Sequence, residues 1–246
     1  MIENKTLQRY EFKYFLNEKT SNEIKNHIRK FMILDKFADF LPDKNYFVRS
    51  IYFDDNFNSN FSEKVDGYRI RKKFRLRYYN KDQSKGPMYL ETKGRNLERT
   101  YKRRVKIDQD DFDIIMNDYS LNELLKKYPN NATMQDFVFE YYKKKLKPKV
   151  LIDYSREPFV NKHGLYFRLT FDKNLKCKNL NKNLKNIIVG QDLMCKAGYT
   201  ILEVKFDRSI PLWFHRIIQS YNLTRQSISK FVLGMCYTKL GEESSD

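Results

Sequence analysis

Between Arg69 and Tyr79 the chain reads RIRKKFRLRYY. In an extended segment alternate side chains face opposite ways, so Arg71, Lys73, Arg75 and Arg77 line one face while Phe74, Leu76 and Tyr78 line the other. A turn at Gly86 and Pro87 leads to MYLETK, where Tyr89, Glu91 and Lys93 share a face opposite Leu90. Rows of this kind recognise anions: a guanidinium offers planar paired donors, and an ammonium offers a mobile point charge. A solvated surface strand needs no apolar row behind its charges, whereas a strand in the wall of a barrel with a charged interior does.

The same alternation recurs along the chain. In residues 8–15, QRYEFKYF, Arg9, Glu11 and Lys13 oppose Tyr10, Phe12 and Tyr14. Further strands are predicted over 46–54, 69–79, 87–93, 100–107, 149–156, 165–173 and 201–206. In the fifth, Lys102, Arg104 and Lys106 oppose Tyr101, Arg103, Val105 and Ile107. In the seventh, Tyr166, Arg168, Thr170 and Asp172 oppose Leu165, Phe167, Leu169 and Phe171, and in the eighth Glu203 and Lys205 share a face. Helical spacing takes over after Asn17, with Thr20 or Ser21 as the cap and Ile24, Ile28 and Phe31 along one side. It returns between 109 and 146, where Ser120 and Glu123 form a capping box, and Pro148 ends that region. After Pro211 come LWFHRIIQSY and QSISKFVLGMCYTKL, the latter carrying Ser229 and Lys230 near its start. Eight strands closed into a barrel with helices packed outside accommodate this pattern. Periodicity alone does not choose between charges in a central channel and aromatics filling the middle.

Composition bounds the partner. The 246 residues contain no Gly-, Ser- or Pro-rich linker, so one domain is expected over 1–240, with GEESSD at 241–246 a disordered tail. A net charge of +17 on a chain that is 41% hydrophobic and 15% aromatic describes a folded protein with a strong positive field, suited to a polyanion. Nucleic acid, anionic lipid and phosphate compounds all meet that description. Cys177, Cys195 and Cys236 lack CxxC spacing, which points away from a disulfide framework and toward a reducing compartment. His27, His163 and His215 lack metal-site spacing and read as ordinary surface or packing residues. The N-terminus has no signal-peptide core, and no run reaches the length of a membrane span, so a soluble, cytoplasmic protein without membrane insertion is expected.

The segments RYEFKYF, YFVRSIYFD, KFRLRYY, YLETK, YKRRVKI, DYSR, LYFRLTFD, ILEVKF and SISKF stand in the order found in the catalytic domain of the vacuolar transporter chaperone (VTC) polyphosphate polymerases. The chain resembles that family, a branch of the triphosphate tunnel metalloenzymes, over about residues 7 to 237. The resemblance implies an α+β fold built on an eight-stranded antiparallel barrel with its basic side chains inside. It makes Lys13, Arg75, Arg77, Lys93, Lys102, Arg156, Arg168 and Lys230 phosphate ligands, with Tyr154 and Ser229 as neutral donors. Glu203 becomes the principal carboxylate for Mn²⁺ or Mg²⁺. Arg9 and Lys205 stand where the wider superfamily's ExExK and ExE patterns have acidic residues, which leaves Glu11 and Glu91 as helpers.

The implied activity is a polyphosphate polymerase that moves the γ-phosphoryl group of ATP onto inorganic polyphosphate and releases ADP. The residue types suit it, because phosphoryl transfer depends mostly on alignment and charge stabilisation. The end of a polyphosphate chain is already ionised and needs no strong base. Hydrolysis of tripolyphosphate or a nucleoside triphosphate would use nearly the same residues, and a catalytically silent polyphosphate binder is a further alternative. A nucleic-acid binder would gain nothing from Glu11, Glu91 and Glu203 among its cations, so ATP and polyphosphate, not nucleic acid, are the expected partners. A separate membrane or regulatory partner would supply translocation or sensing.

Overall fold

The computed structural model describes residues 10–79, 86–97, 99–117, 120–164, 166–181, 193–194 and 197–240. Arg9, Leu165, Cys195 and the expected tail at 241–246 lie outside them. Along the chain come β1 (Tyr10–Asn17), α1 (Glu18–Ile28), β2 (Met32–Leu34), α2 (Lys36–Asp39), β3 (Tyr46–Asp54), α3 (Ser59–Val65), β4 (Ile70–Tyr78), β5 (Met88–Asn96) and β6 (Arg99–Ile107). There follow α4 (Gln109–Asn117), α5 (Leu121–Lys127), α6 (Ala132–Lys144), β7 (Lys147–Asn161), β8 (Phe167–Asn179), β9 (Leu193–Met194), β10 (Tyr199–Phe206), α7 (Leu212–Ser220) and α8 (Lys230–Tyr237). The eight long strands are those expected from alternation; β2 and β9 are additions too short for a period to show.

Several boundaries differ from the sequence reading. Asn17, not Thr20 or Ser21, caps α1: its side chain accepts from the Thr20 amide at 2.8 Å. Ser120 sits at the N-cap position of α5 but makes no side-chain cap bond, because its φ of 56° places it in the left-handed region. Pro148 lies inside β7, at its second residue, where a missing N–H is tolerated. Helix α8 starts only at Lys230. The preceding segment is not helical, and its Gln226 amide donates to the Lys13 carbonyl at 2.9 Å.

Contacts group the chain into two units, one of Met1–Phe47, Tyr154–Leu175 and Lys196–Ser229, the other of Val48–Asp153, Lys176–Cys195 and Lys230–Asp246; β7 and β8 run through both. In the first unit the strands are ordered β1-β10-β8-β7, with β2 on β7. Their apolar rows, including Tyr14, Phe167, Leu169, Phe171, Leu202 and Val204, are buried with Ile24 and Ile28 of α1 and Phe214 and Ile217 of α7. Phe167 meets Trp213 and Phe214 edge-on at 5.5 and 5.2 Å. Two helices therefore cover one face of this sheet, and the charged rows occupy the other.

In the second unit the order is β7-β3-β4-β5-β6, with β9 beside β8. Phe53 and Phe74 both pack edge-on against Phe137 of α6 at 5.4 Å, and Tyr78 against Phe112 of α4 at 6.3 Å. Burying an aromatic such as Phe74 stabilises by about 1.5–3 kcal/mol. Lys72, on the same side, ties α6 down through Asp136 at 2.7 Å and Glu140 at 3.2 Å. Helices α4 and α6 pack behind the apolar face, and α8 differs from them. Phe231 of α8 stacks on Tyr52 at 5.2 Å, and Tyr52 pairs with Arg75 across the β3–β4 ladder, so α8 lies on the charged face.

The α+β class and the antiparallel strands agree with the expectation. The path of ladders is open, however, with no ladder between β1 and β6 among the described residues. Within the first unit, the edge of β1 away from β10 is already used by the Gln226 amide.

Candidate functional site

In the second unit three registered strands build one cationic face. Arg75, Glu91 and Arg104 are direct ladder partners, as are Lys73, Lys93 and Lys102, and Arg77, Tyr89 and Lys106. Glu91 is 1% exposed and organises this face. One of its oxygens, Oε2, accepts from Arg75 Nε at 2.8 Å, with Arg75 Nη2 at 2.7 Å and Arg77 Nη1 at 3.7 Å; the other, Oε1, meets Lys102 Nζ at 2.6 Å. Burial alone would raise the Glu91 carboxyl, but Arg75, Arg77 and Lys102 outweigh it and hold the group well below the ordinary carboxylate range. Lys102 is pushed down to about 8 by burial and by Arg75 and Arg77, against the pull of Glu91.

The register sets Lys73, Lys93 and Lys102 level with one another on three adjacent strands. Like charges directly opposite in a sheet destabilise it by up to roughly 1 kcal/mol per pair, and a polyanion laid along the row would relieve that. Arg77 Nε donates to Ser50 Oγ at 3.2 Å, and Arg75 Nη1 donates to the Tyr52 hydroxyl at 2.8 Å. Lys230, buried at the start of α8, acts on Tyr52 together with both arginines: burial works to raise this phenol, and the three cations bring it below its usual value.

In the first unit the charged face alternates in sign. Ladder pairs set Glu11 opposite Lys205 and Lys13 opposite Glu203, with Thr170 beyond Glu203 and Arg168 beyond Lys205. Arg156 reaches Asp172 through two parallel bonds of 2.6 and 2.7 Å and Glu203 at 3.1 Å, and its guanidinium lies over the Tyr154 ring at 5.3 Å. Burial opposes that charge, but Asp172, Tyr154 and Glu203 keep it well above the ordinary arginine value. Lys13 Nζ lies 2.9 Å from Glu11, 3.7 Å from Glu203 and 3.0 Å from the Ile228 carbonyl, which fixes the segment leading to Ser229. Arg168 shares this face but pairs with Asp35 at 3.2 Å.

Among the described residues, no group of three or more His, Cys, Asp or Glu side chains could hold a metal ion. Glu203, expected as the principal metal carboxylate, has Lys13 3.7 Å from Oε1 and Arg156 and Lys205 3.1 and 3.7 Å from Oε2, while Glu11 lies 2.9 Å from Lys13. Carboxylate oxygens suit a hard divalent ion that keeps waters and phosphate oxygens in its shell, and such an ion would compete with these cations. Glu91 is held more tightly still, with Arg75 and Lys102 at 2.7 and 2.6 Å from its two oxygens.

Of the residues predicted from sequence, Lys13, Arg156, Tyr154, Glu11 and Glu203 form one connected group in the first unit. Arg75, Arg77, Lys93, Lys102 and Glu91 form another in the second, and Lys230 joins them beside Tyr52. Ser229 is buried immediately before α8. Sequence reasoning missed Tyr52 and Ser50 as members of the charged face and Asp172 as the partner that orients Arg156. The signal was present for the first two: in YFVRSIYFD, Val48, Ser50 and Tyr52 alternate with Arg49, Ile51 and Phe53. Arg49 itself points to the helix-covered side and forms a bidentate pair with Asp153 at 2.6 and 2.7 Å.

This fold is that of the triphosphate tunnel proteins. A putative adenylyl cyclase from Hippeastrum, described as having a dominant triphosphatase activity, superposes with a TM-score of 0.51 at 13% identity, over 94% of this chain and 96% of that one. The PH1819 protein of Pyrococcus horikoshii follows at 0.48, with 14% identity and coverage of 92% and 97%. A putative adenylate cyclase from Bacillus halodurans gives 0.48, with 10% identity and coverage of 89% and 92%. The family model of the VTC domain matches residues 8–239, and the chain belongs to that family. No curated protein matches it.

Proposed function

We propose that this protein is a polyphosphate polymerase that transfers the γ-phosphoryl group of ATP to the end of an inorganic polyphosphate chain. The observation that carries the reading is the row of Lys73, Lys93 and Lys102 on adjacent strands, next to Arg75 and Arg77 braced by a single buried carboxylate. Such a face repeats cations at the spacing of neighbouring strands, about 4.8 Å, and a chain of phosphates presents negative charge along its whole length to such a row. Membership of the VTC domain family supports the same substrate class.

In this reading Arg75, Arg77, Lys93, Lys102, Lys230, Lys13, Arg156 and Arg168 hold phosphate oxygens and offset the charge that spreads over them during transfer. Tyr154 and Ser229 supply neutral donors. Glu203, helped by Glu11, would hold Mn²⁺ or Mg²⁺ with the substrate, and the ion's contribution is charge neutralisation of the phosphates. Glu91 would have to release Lys102 to join it. Among the described residues no helix is long and apolar enough to cross a membrane; we place the activity in the cytoplasm, with any translocation or regulation left to a partner.

Purified protein incubated with ATP and Mn²⁺ or Mg²⁺ is expected to build long polyphosphate, visible on a gel, and to release ADP. Absence of polymer under every metal and primer condition overturns the reading. Phosphate release without chain growth establishes the second reading, hydrolysis, which is the kind of activity described for the Hippeastrum protein.

A further inference from the structure

Tyr52 belongs to the charged face of the second unit, yet its hydroxyl is only half used. The oxygen accepts one hydrogen bond, from Arg75 Nη1 at 2.8 Å. The phenolic proton must itself be donated, and the charged groups around it cannot receive it. Arg75, Arg77 and Lys73 approach from β4 and Lys230 from α8, and protonated guanidinium and ammonium groups are donors only. Glu91, the carboxylate nearest to Arg75, is enclosed by Arg75, Arg77 and Lys102. Among the described residues no hydrogen bond from the Tyr52 hydroxyl is found, although the residue is only 4% exposed. A buried donor without an acceptor is costly, and natural proteins retain one where something else supplies the acceptor.

The ring is held as firmly as the oxygen. Phe231 stacks on it at 5.2 Å, and Lys73 and Arg75 stand 5.9 and 5.6 Å from its centroid. The hydroxyl is thus fixed in a field of cations with its proton unused. Those cations lower the phenol below its ordinary value in spite of burial, which makes it a stronger donor toward an anion.

We propose that Tyr52 is a further substrate-binding residue: its hydroxyl donates a hydrogen bond to a phosphate oxygen held by the Arg75 and Arg77 guanidiniums. The assignment rests on the phosphate-binding reading of this face and adds to it a neutral donor that the resemblance does not supply.

Tyr52→Phe keeps the stack on Phe231 and removes only the hydroxyl. Calorimetric titration of wild-type protein with tripolyphosphate is expected to show binding, and the variant is expected to bind about tenfold or more weakly, the effect of losing a hydrogen bond to a charged group. Raising the pH through the Tyr52 titration should weaken wild-type binding more steeply than binding to the variant, which a merely structural tyrosine would not produce. Equal affinities and equal pH profiles overturn the assignment while leaving the phosphate site intact; no binding by the wild type overturns the phosphate reading itself. Should the variant fail to fold, the alkaline absorbance titration of wild-type tyrosines still decides. Tripolyphosphate must move the most acidic phenol upward, and an unmoved titration ends the proposal.

Discussion

Replacing Glu91 with Gln removes the anion on which the cationic face of the second unit depends. The carboxylate is 1% exposed and contacts Arg75, Arg77 and Lys102, so the change leaves three like charges around a buried neutral amide. Breaking a buried ion pair from one side costs about 3–5 kcal/mol, and at about 2–4 °C per kcal/mol for a chain of this size the melting temperature should fall by about 6–20 °C. The pH dependence follows from the lowered pKa of Glu91. The Glu91 contribution is fully present above its ordinary value of 4.5 and is lost as pH falls through the lower value it has when folded. The gap between wild type and variant should therefore close on acidification. Tripolyphosphate should recover more stability in the variant than in the wild type, because it restores negative charge among the same cations. Thermal unfolding with and without tripolyphosphate, at neutral and acidic pH, checks both parts. A variant as stable as wild type, with an equal response to ligand, would refute the assignment of Glu91 as the brace of this face.

Two other substitutions test the scaffold of the second unit. Asp54 is buried and accepts from the Asp55, Asn60 and Phe61 amides at 2.9, 2.9 and 3.0 Å, yet burial and Asp55 push it up to about 6. Between its ordinary 3.8 and about 6 the folded state holds the extra proton, so this group's contribution to stability declines as pH rises through that window; Asp54→Asn should flatten that part of a stability–pH profile, and an unchanged slope counts against it. At Gly234 an added Cβ would meet Ile152 Cδ1 at 2.8 Å and Val150 Cγ2 at 3.1 Å. Gly234→Ala should therefore cost about 1–3 kcal/mol by overpacking and weaken tripolyphosphate binding, since α8 carries Lys230; calorimetry and thermal melts would expose an error if neither changes.

Alternation in the sequence located all eight long strands and the two faces of most of them, because a period of two is imposed by the backbone and survives any packing. It also put Arg75 with Arg77, Glu91 with Lys93, and Glu203 with Lys205 on single faces of their strands. The short elements β2 and β9 carry too few residues for a period to register. The helix over QSISKFVLGM starts later than its spacing implies because such a run fits helix and extended chain alike until a neighbour, here the Lys13 carbonyl, claims the Gln226 amide.

What residue order determined, then, is which side chains share a face; that follows from local geometry and needs no partner strand. Which residues complete those faces was decided only by tertiary structure, because register and packing join positions far apart in the chain. Register sets Lys73, Lys93 and Lys102 in line, and packing brings Asp172 to Arg156 and Lys13 to the Ile228 carbonyl. The placement of α8 on the charged face belongs to the same category, since Phe231 finds Tyr52 across 179 positions of sequence that contain no local signal for the meeting.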